Sequence, residues 1–296
     1  MRFIFILSFA TLLLSQCVPQ REDSATAEDL PDVVMHATPP AEWVEERVAA
    51  TQERLNATAA GQHIWQAMEA HGGLARWFNN GPLEFQFNYQ PLDGSTPRNT
   101  YEVANYWSAQ TRHQLVEDTT VQFGWDGERA WASPTDTLIP YNVRFWSLTP
   151  YYFVGIPFVL GDEGIRLESL GESSFEEKRY DLVKVTYDQG IGDAPDDYYV
   201  IYVGQEDHRI GALRYIVSYP GYFPDGGHAP EKLMALNGTQ TINGIILPKG
   251  YRTFWWKEEQ AGQHITDIEV SGVSFRPEVR QDYFIAPDNA QTIQNL

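Results

Sequence analysis

Apolar and polar positions change their period twice along the chain. In AEWVEERVAATQERL, residues 41–55, Val44, Val48, Thr51 and Leu55 recur at i, i+4, i+7 and i+11. That narrow stripe predicts a helix that is charged on its other sides. A second helix is expected from Ala60 to His71, with Ile64, Ala67 and Met68 on one face. Gly72-Gly73 can take the left-handed cap that ends it. From Leu83 the period becomes two. LEFQFNYQ sets Leu83, Phe85, Phe87 and Tyr89 on one side and Glu84, Gln86, Asn88 and Gln90 on the other, a strand with one dry and one wet face. TYEVANYW, RHQLVED and TVQFGW continue the series, and Asp126-Gly127 makes a hairpin turn into ERAWAS. IRLESLGE, YDLVKVTY, DYYVIYVG, GALRYIVSY, KLMALNGTQTI, ILPKGYRTFWW and HITDIEVSGVSF repeat the theme. Roughly a dozen short strands in sequential antiparallel order result. The expected fold is mainly β within the α+β class. One large, curved antiparallel sheet forms a half-open barrel, and N-terminal and mid-chain helices cover its concave face.

One stretch obeys neither period. VRFWSLTPYYFVGIPFVL, residues 143–160, sets twelve Val, Leu, Ile, Phe, Trp and Tyr side chains around a single charge, Arg144. Pro150 and Pro157 are expected to break it into short helical or looped pieces. So apolar a piece is either buried or an interaction surface. It reads as a plug of the core, as a lid over a hollow in the curved sheet, or as both, filling the core when empty and touching ligand when loaded. The candidate ligand contacts are Phe145, Trp146, Tyr151, Tyr152, Phe153, Ile156 and Phe158 from this segment, with Phe85, Phe87 and Tyr89 as the facing wall.

The first residues do not belong to the fold. After Arg2, the run Phe3 to Leu14 is interrupted only by Ser8 and Thr11, too short for the roughly 20 apolar residues of a spanning helix, and so residues 1–16 read as a signal peptide. Cys17, the only cysteine, follows LLLSQ and resembles the acylated cysteine of a bacterial lipobox, although Gln16 stands where Gly, Ala or Ser is usual. Cleavage after Ala27, discarding Cys17, is the alternative. Fatty chains on Cys17 would anchor the protein to a membrane, each methylene contributing on the order of 0.8 kcal/mol. Val18 rather than Asp after the cysteine favours the outer membrane by the same resemblance; a periplasmic or secreted protein is the other outcome. Residues 17–40, rich in Pro, Ala and acids, read as a tether, and residues 41–296 as a single domain. With no cysteine inside that domain, internal disulfides, thiolate ligands and a cysteine nucleophile are excluded.

Charge narrows the partners. Against 21 Lys and Arg stand 40 Asp and Glu, a net charge of −19, with no basic cluster. Binding to nucleic acid or to anionic headgroups through charge is disfavoured, and no cofactor motif is present. No GxSxG, HExxH or phosphate-binding glycine loop occurs, and GIGDAP at 190–195 lacks the last glycine of a dinucleotide fingerprint. Asp193, Asp196 and Asp197 could face a hard cation but read as a turn. In PGYFPDGGHAP, Asp225 and His228 could form an acid–base pair, which leaves a hydrolase as a rival reading; a scaffold docking a partner protein is another.

The order of these pieces is similar to that of a known group. A lipoprotein-type leader, a helical N-terminus ending in AHGG, the strand LEFQF, the turn FGWDGERAW, an apolar helical interruption, then DYYVIYV, LRYIVSY, ILPKGYRTFWW and ITDIEVSGVSF resemble the lipoprotein-localisation factor superfamily, the LolA/LolB-like proteins and RseB-like sensors. The resemblance covers about Ala59 to Pro287. It implies an incomplete antiparallel barrel closed by helices around an apolar cavity that accepts acyl chains, hence an acylated or lipid ligand. The carrier of that group is soluble in the periplasm, whereas Cys17 makes this chain look anchored.

Overall fold

The computed structural model describes residues 34–194 and 196–293. The leader, Cys17 and the stretch up to residue 33 lie outside the described residues. β1 (Val34–His36) precedes three helices, α1 (Ala41–Asn56), α2 (Ala59–Ala70) and α3 (Leu74–Asn79). Five strands follow: β2 (Leu83–Pro91), β3 (Arg98–Asn105), β4 (Gln110–Leu115), β5 (Gln122–Trp125) and β6 (Ala130–Ser133). Then come α4 (Val143–Gly155) and a 3-10 turn (Phe158–Gly161). The second half holds β7 (Ile165–Phe175), β8 (Lys178–Tyr187), β9 (Tyr199–Gly204), β10 (Ile210–Tyr215) and β11 (Lys232–Leu236). The chain closes with β12 (Thr239–Ile242), β13 (Ile245–Pro248), β14 (Gly250–Lys257), β15 (Gln260–Phe275), β16 (Glu278–Arg280) and β17 (Gln291–Ile293).

Thirteen strands form one antiparallel sheet in the order β17-β6-β5-β4-β3-β2-β15-β14-β11-β10-β9-β8-β7. The connection from β6 to β7 therefore runs from one side of the sheet to its opposite edge, and α4 lies within that crossover. Flat, thirteen strands at about 4.8 Å spacing would extend about 60 Å, whereas a 13-residue helix is only about 20 Å long. Yet Trp146 of α4 meets Tyr89 of β2, and Phe153 meets Tyr215 of β10. The sheet is curled, and α4 sits in its concavity. Register shifts assist the bend in β7, where Gly171 has φ 86°, and in β15, beside Gly272 at φ 61°.

The expected alternation holds in β2, where Leu83, Phe85 and Phe87 are buried and the residues between them are half-exposed. It fails in β9, whose Val200, Ile201, Tyr202 and Val203 are all buried. Ile201 and Val203 join the main core, while Val200 and Tyr202 pack on the convex side with Tyr180 and Leu182. The N-terminal helices largely follow the expected faces: Val44, Thr51 and Leu55 of α1 are buried and Val48 is half-buried, while α2, with Ile64 and Met68 buried, lies on β7, β8 and β9. Thr58 caps α2 by accepting from Gly61 N at 3.0 Å. His71 follows α2 and is buried between two backbone groups: Nδ1 donates to Ile246 O at 3.0 Å and Nε2 accepts from Ile210 N at 3.2 Å. That pattern requires the neutral ring, and burial lowers its pKa.

Two expectations need correction. The folded part begins by Val34 rather than at Ala41, because β1 pairs with β16 and Ala37 is buried beside Val279 and Phe284. Pro150 does not break the apolar segment. It lies inside one continuous helix, since burying Trp146, Phe153 and Val154, at about 1.5–3 kcal/mol each, outweighs the ~3 kcal/mol that an internal proline costs.

Candidate functional site

A helix that is apolar all round must be covered all round. α4 begins at Asn142, whose side chain accepts from Phe145 N at 2.9 Å. One face, Val143, Trp146, Ser147, Pro150, Phe153 and Val154, is buried in the concave sheet. The other face carries Arg144, Phe145, Leu148, Thr149, Tyr151 and Tyr152, spaced by three and four residues, and lines a cleft of about 410 Å3. That volume falls within the roughly 300–1,000 Å3 of small-molecule sites. A second, inner void between α4 and the sheet measures about 90 Å3, room for about three water molecules at ~30 Å3 each. The half-barrel is thus nearly filled by its own helix, and the larger space lies beyond it.

Side-chain donors from the sheet fix the buried side of α4. Thr111 Oγ1 donates to Ser147 O at 2.8 Å, and His113 Nε2 lies 3.0 Å from the same oxygen. A carbonyl only accepts, so His113 carries its proton on Nε2. Its Nδ1 faces Glu102 Oε1 at 3.3 Å, and Thr100 Oγ1 donates to that carboxylate at 2.7 Å. Both members of this pair are buried, with the His113 ring stacked on Phe123. Further along, Tyr106 OH donates to Tyr151 O and Tyr251 OH to Phe153 O, each at 2.9 Å. These contacts make α4 a rigid wall.

The opposite wall of the cleft comes from distant parts of the chain. Ile165 of β7, Tyr187 of β8 and Tyr199 of β9 face α4 across the space, and the turn after β8 contributes Ile191, Asp193 and Asp197. Tyr152 and Tyr187 join by their hydroxyls, closing one side. Burial holds the hydroxyls of Tyr151, Tyr152 and Tyr199 far above the ordinary phenol range, so these rings are neutral at physiological pH. Arg144 binds Asp193 through Nε and Nη2, both at 2.7 Å, and stacks on Trp125 at 3.3 Å from the ring centre. Asp197 Oδ1 accepts from Ser218 N at 2.6 Å and Oγ at 2.8 Å; burial raises its pKa while these bonds oppose the rise.

Of the residues singled out in the sequence, Phe145, Tyr151 and Tyr152 line the cleft, while Trp146, Phe153, Phe87 and Tyr89 line the inner void, which Phe145 and Tyr152 also reach. Phe85, Ile156 and Phe158 line neither. Phe158 stacks on Trp77 at 4.5 Å beneath the N-terminal helices, and Phe85 and Ile156 are packed into the same core. Leu148, Ile165, Tyr187 and Tyr199 went unselected because three of them look like ordinary strand residues until the sheet order places them opposite α4.

The other candidates separate. Asp193 and Asp197 turn to Arg144 and Ser218 respectively, and among the described residues no group of three or more His, Cys, Asp or Glu is placed to hold a metal. Asp225 and His228 are exposed, and His228 Nδ1 lies 2.8 Å from Ala229 O rather than on the carboxylate.

Neither a protein-family model nor a curated protein sequence matches the chain. Solved structures do. A LolA superfamily protein from Nitrosomonas europaea overlays with a TM-score of 0.52 at 11% identity, covering 77% of this chain and 98% of that one. A putative outer membrane lipoprotein-sorting protein domain from Vibrio parahaemolyticus gives 0.47 at 11% identity over 76% and 97%. A DUF1329 family protein from Desulfovibrio piger gives 0.47 at 11% identity over 83% and 98%. The likeness to the Nitrosomonas protein shows the fold, a LolA-like open half-barrel.

Proposed function

We propose that this protein is a cell-envelope lipoprotein, anchored through an acylated Cys17 to the periplasmic face of the outer membrane, that binds an acyl chain or another apolar ligand in the cleft outside α4. Such binding would serve lipid or lipoprotein transport or sensing. The observation that carries this reading is the cleft itself: about 410 Å3 of space walled by Leu148, Val159, Ile165 and neutral tyrosines. Affinity would follow from area. Removing roughly 300 Å2 of chain from water at about 25 cal/mol/Å2 yields on the order of 7 kcal/mol before the costs of association. The LolA-like fold supports the reading, as its resemblance implied an apolar cavity.

Mass spectrometry of lipids retained by protein purified gently from its host tests it. The wild type should retain a chain-bearing molecule, and Leu148→Trp, which fills the cleft, should lose it while the melting temperature stays within a few degrees. Lipid retained equally by Leu148→Trp would refute binding in the cleft. Separately, Cys17→Ser should move the protein from the membrane to the soluble fraction; continued membrane association would refute the anchor.

A further inference from the structure

We propose that the cleft selects amphiphiles with a cationic head group and disfavours anionic ones, an inference that rests on the cleft being the binding site. Four carboxylates, Asp162, Glu163, Asp193 and Asp197, line it against one guanidinium, Arg144. That guanidinium is already engaged. Its Nε and Nη2 hold Asp193, its plane covers Trp125, and its Nη1 is shielded from solvent without a hydrogen-bond partner. The neighbouring bases are engaged as well. Arg47 donates to Gly161 O at 3.0 Å and to Asp162 Oδ1 at 2.6 Å, and Arg54 donates to Gly161 O at 2.6 Å and to Asp162 O at 3.2 Å. Apart from that shielded Nη1, these guanidinium groups are committed to Asp193, Asp162 and Gly161 O.

Asp197 is in the opposite situation. Its hydrogen bonds come from the neutral Ser218; no ion pair holds it among the described residues, and the exposed His228 lies near enough to lower its pKa, against the rise that burial causes. It borders the cleft and the inner void together with the rings of Phe145, Tyr152 and Tyr199. Aromatic faces attract organic cations, most strongly where water is excluded, and a nearby carboxylate adds to that attraction. An anionic head would instead meet an unpaired carboxylate within a protein of net charge −19. Lys232 lines the inner void, which Asp197 also borders, but not the cleft. The alkyl part of the ligand would lie along Leu148, Val159 and Ile165, leaving the head at Asp197.

Three probes with the same chain separate the possibilities: dodecylammonium, dodecanamide and dodecanoate, titrated below their aggregation concentrations into protein purified from its host and stripped of lipid. Dodecylammonium should bind at least about tenfold tighter than dodecanoate, with dodecanamide between them. Asp197→Asn keeps an acceptor for Ser218 and should weaken dodecylammonium about tenfold while leaving dodecanamide within about twofold. Leu148→Trp should abolish binding of all three. Dodecanoate binding as tightly as dodecylammonium overturns the charge preference alone and leaves the cleft as a site for apolar chains. A preference unchanged in Asp197→Asn or Leu148→Trp marks adsorption to the acidic surface and overturns it too. Failure of all three probes to bind overturns both the charge preference and the binding function.

Discussion

The two faces of α4 are both rich in large apolar and aromatic residues in sequence and opposite in structure. Toward the sheet, Trp146, Phe153 and Val154 are buried, with a void of about 90 Å3 beside the first two; toward the crossover, Phe145, Leu148 and Tyr152 border about 410 Å3. The difference comes from what each face meets. The inner face meets a continuous curved sheet whose donors hold its carbonyls. The outer face meets three strand ends and a turn, which touch it through Tyr152 and Phe145 and leave the cleft between. A curled sheet therefore does not by itself provide the binding space, because the crossover helix that closes it can occupy the hollow and displace the usable volume to its own far side.

Substitutions on the two faces should separate them most strongly. Phe153→Ala should lower unfolding free energy by about 3–5 kcal/mol in denaturant titrations, whereas Leu148→Ala, half-exposed at the cleft, should cost about 1 kcal/mol or less. Equal losses would mean that the cleft is packed like the core. Tyr251→Phe removes the hydroxyl that donates to Phe153 O and leaves a buried carbonyl unpaired, a loss of about 1–3 kcal/mol without change in ligand retention.

Acid should act on the structural side of the comparison. His71 is neutral and buried in the fold, with its pKa below the usual 6.5, so the unfolded chain takes up the proton first. Its contribution to stability is complete above about pH 6.5 and declines as pH falls from there toward the lowered folded value. The melting temperature should drop over that window, and His71→Gln should flatten the drop while lowering stability at neutral pH. An identical pH slope in the variant would contradict the neutral, backbone-bridging histidine. The smallest effect is expected from Val217→Leu, one methylene added beside the inner void, which should alter stability by about 0.5 kcal/mol or less and leave binding unchanged.

Much of the fold was legible because burial periods survive in sequence. The alternation of Leu83, Phe85 and Phe87 and the α1 stripe of Val44, Thr51 and Leu55 correspond to the buried positions. The six-residue α3 was not foreseen, being too short to show a period, and its Trp77 is buried. Of the cleft lining, Phe145, Tyr151 and Tyr152 were legible. The rest was not, since an apolar ring sealed in a core and one facing a cavity have the same composition: Phe85, Ile156 and Phe158 belong to the first kind. Nor does one segment reveal its counterpart, because Ile165, Tyr187 and Tyr199 come to face α4 only through the pairing of β7, β8 and β9 at the sheet's far edge.

Photolabelling with a long-chain alkyl diazirine, followed by peptide mapping, tests most directly whether ligand lies outside α4 rather than inside the half-barrel. Label should concentrate on Leu148, Tyr152, Ile165 and Tyr187, and should vanish in Leu148→Trp. Label on Phe87, Met234 and Ile268 of the inner void, undiminished in Leu148→Trp, would place the ligand beneath the helix and contradict the cleft as the binding site.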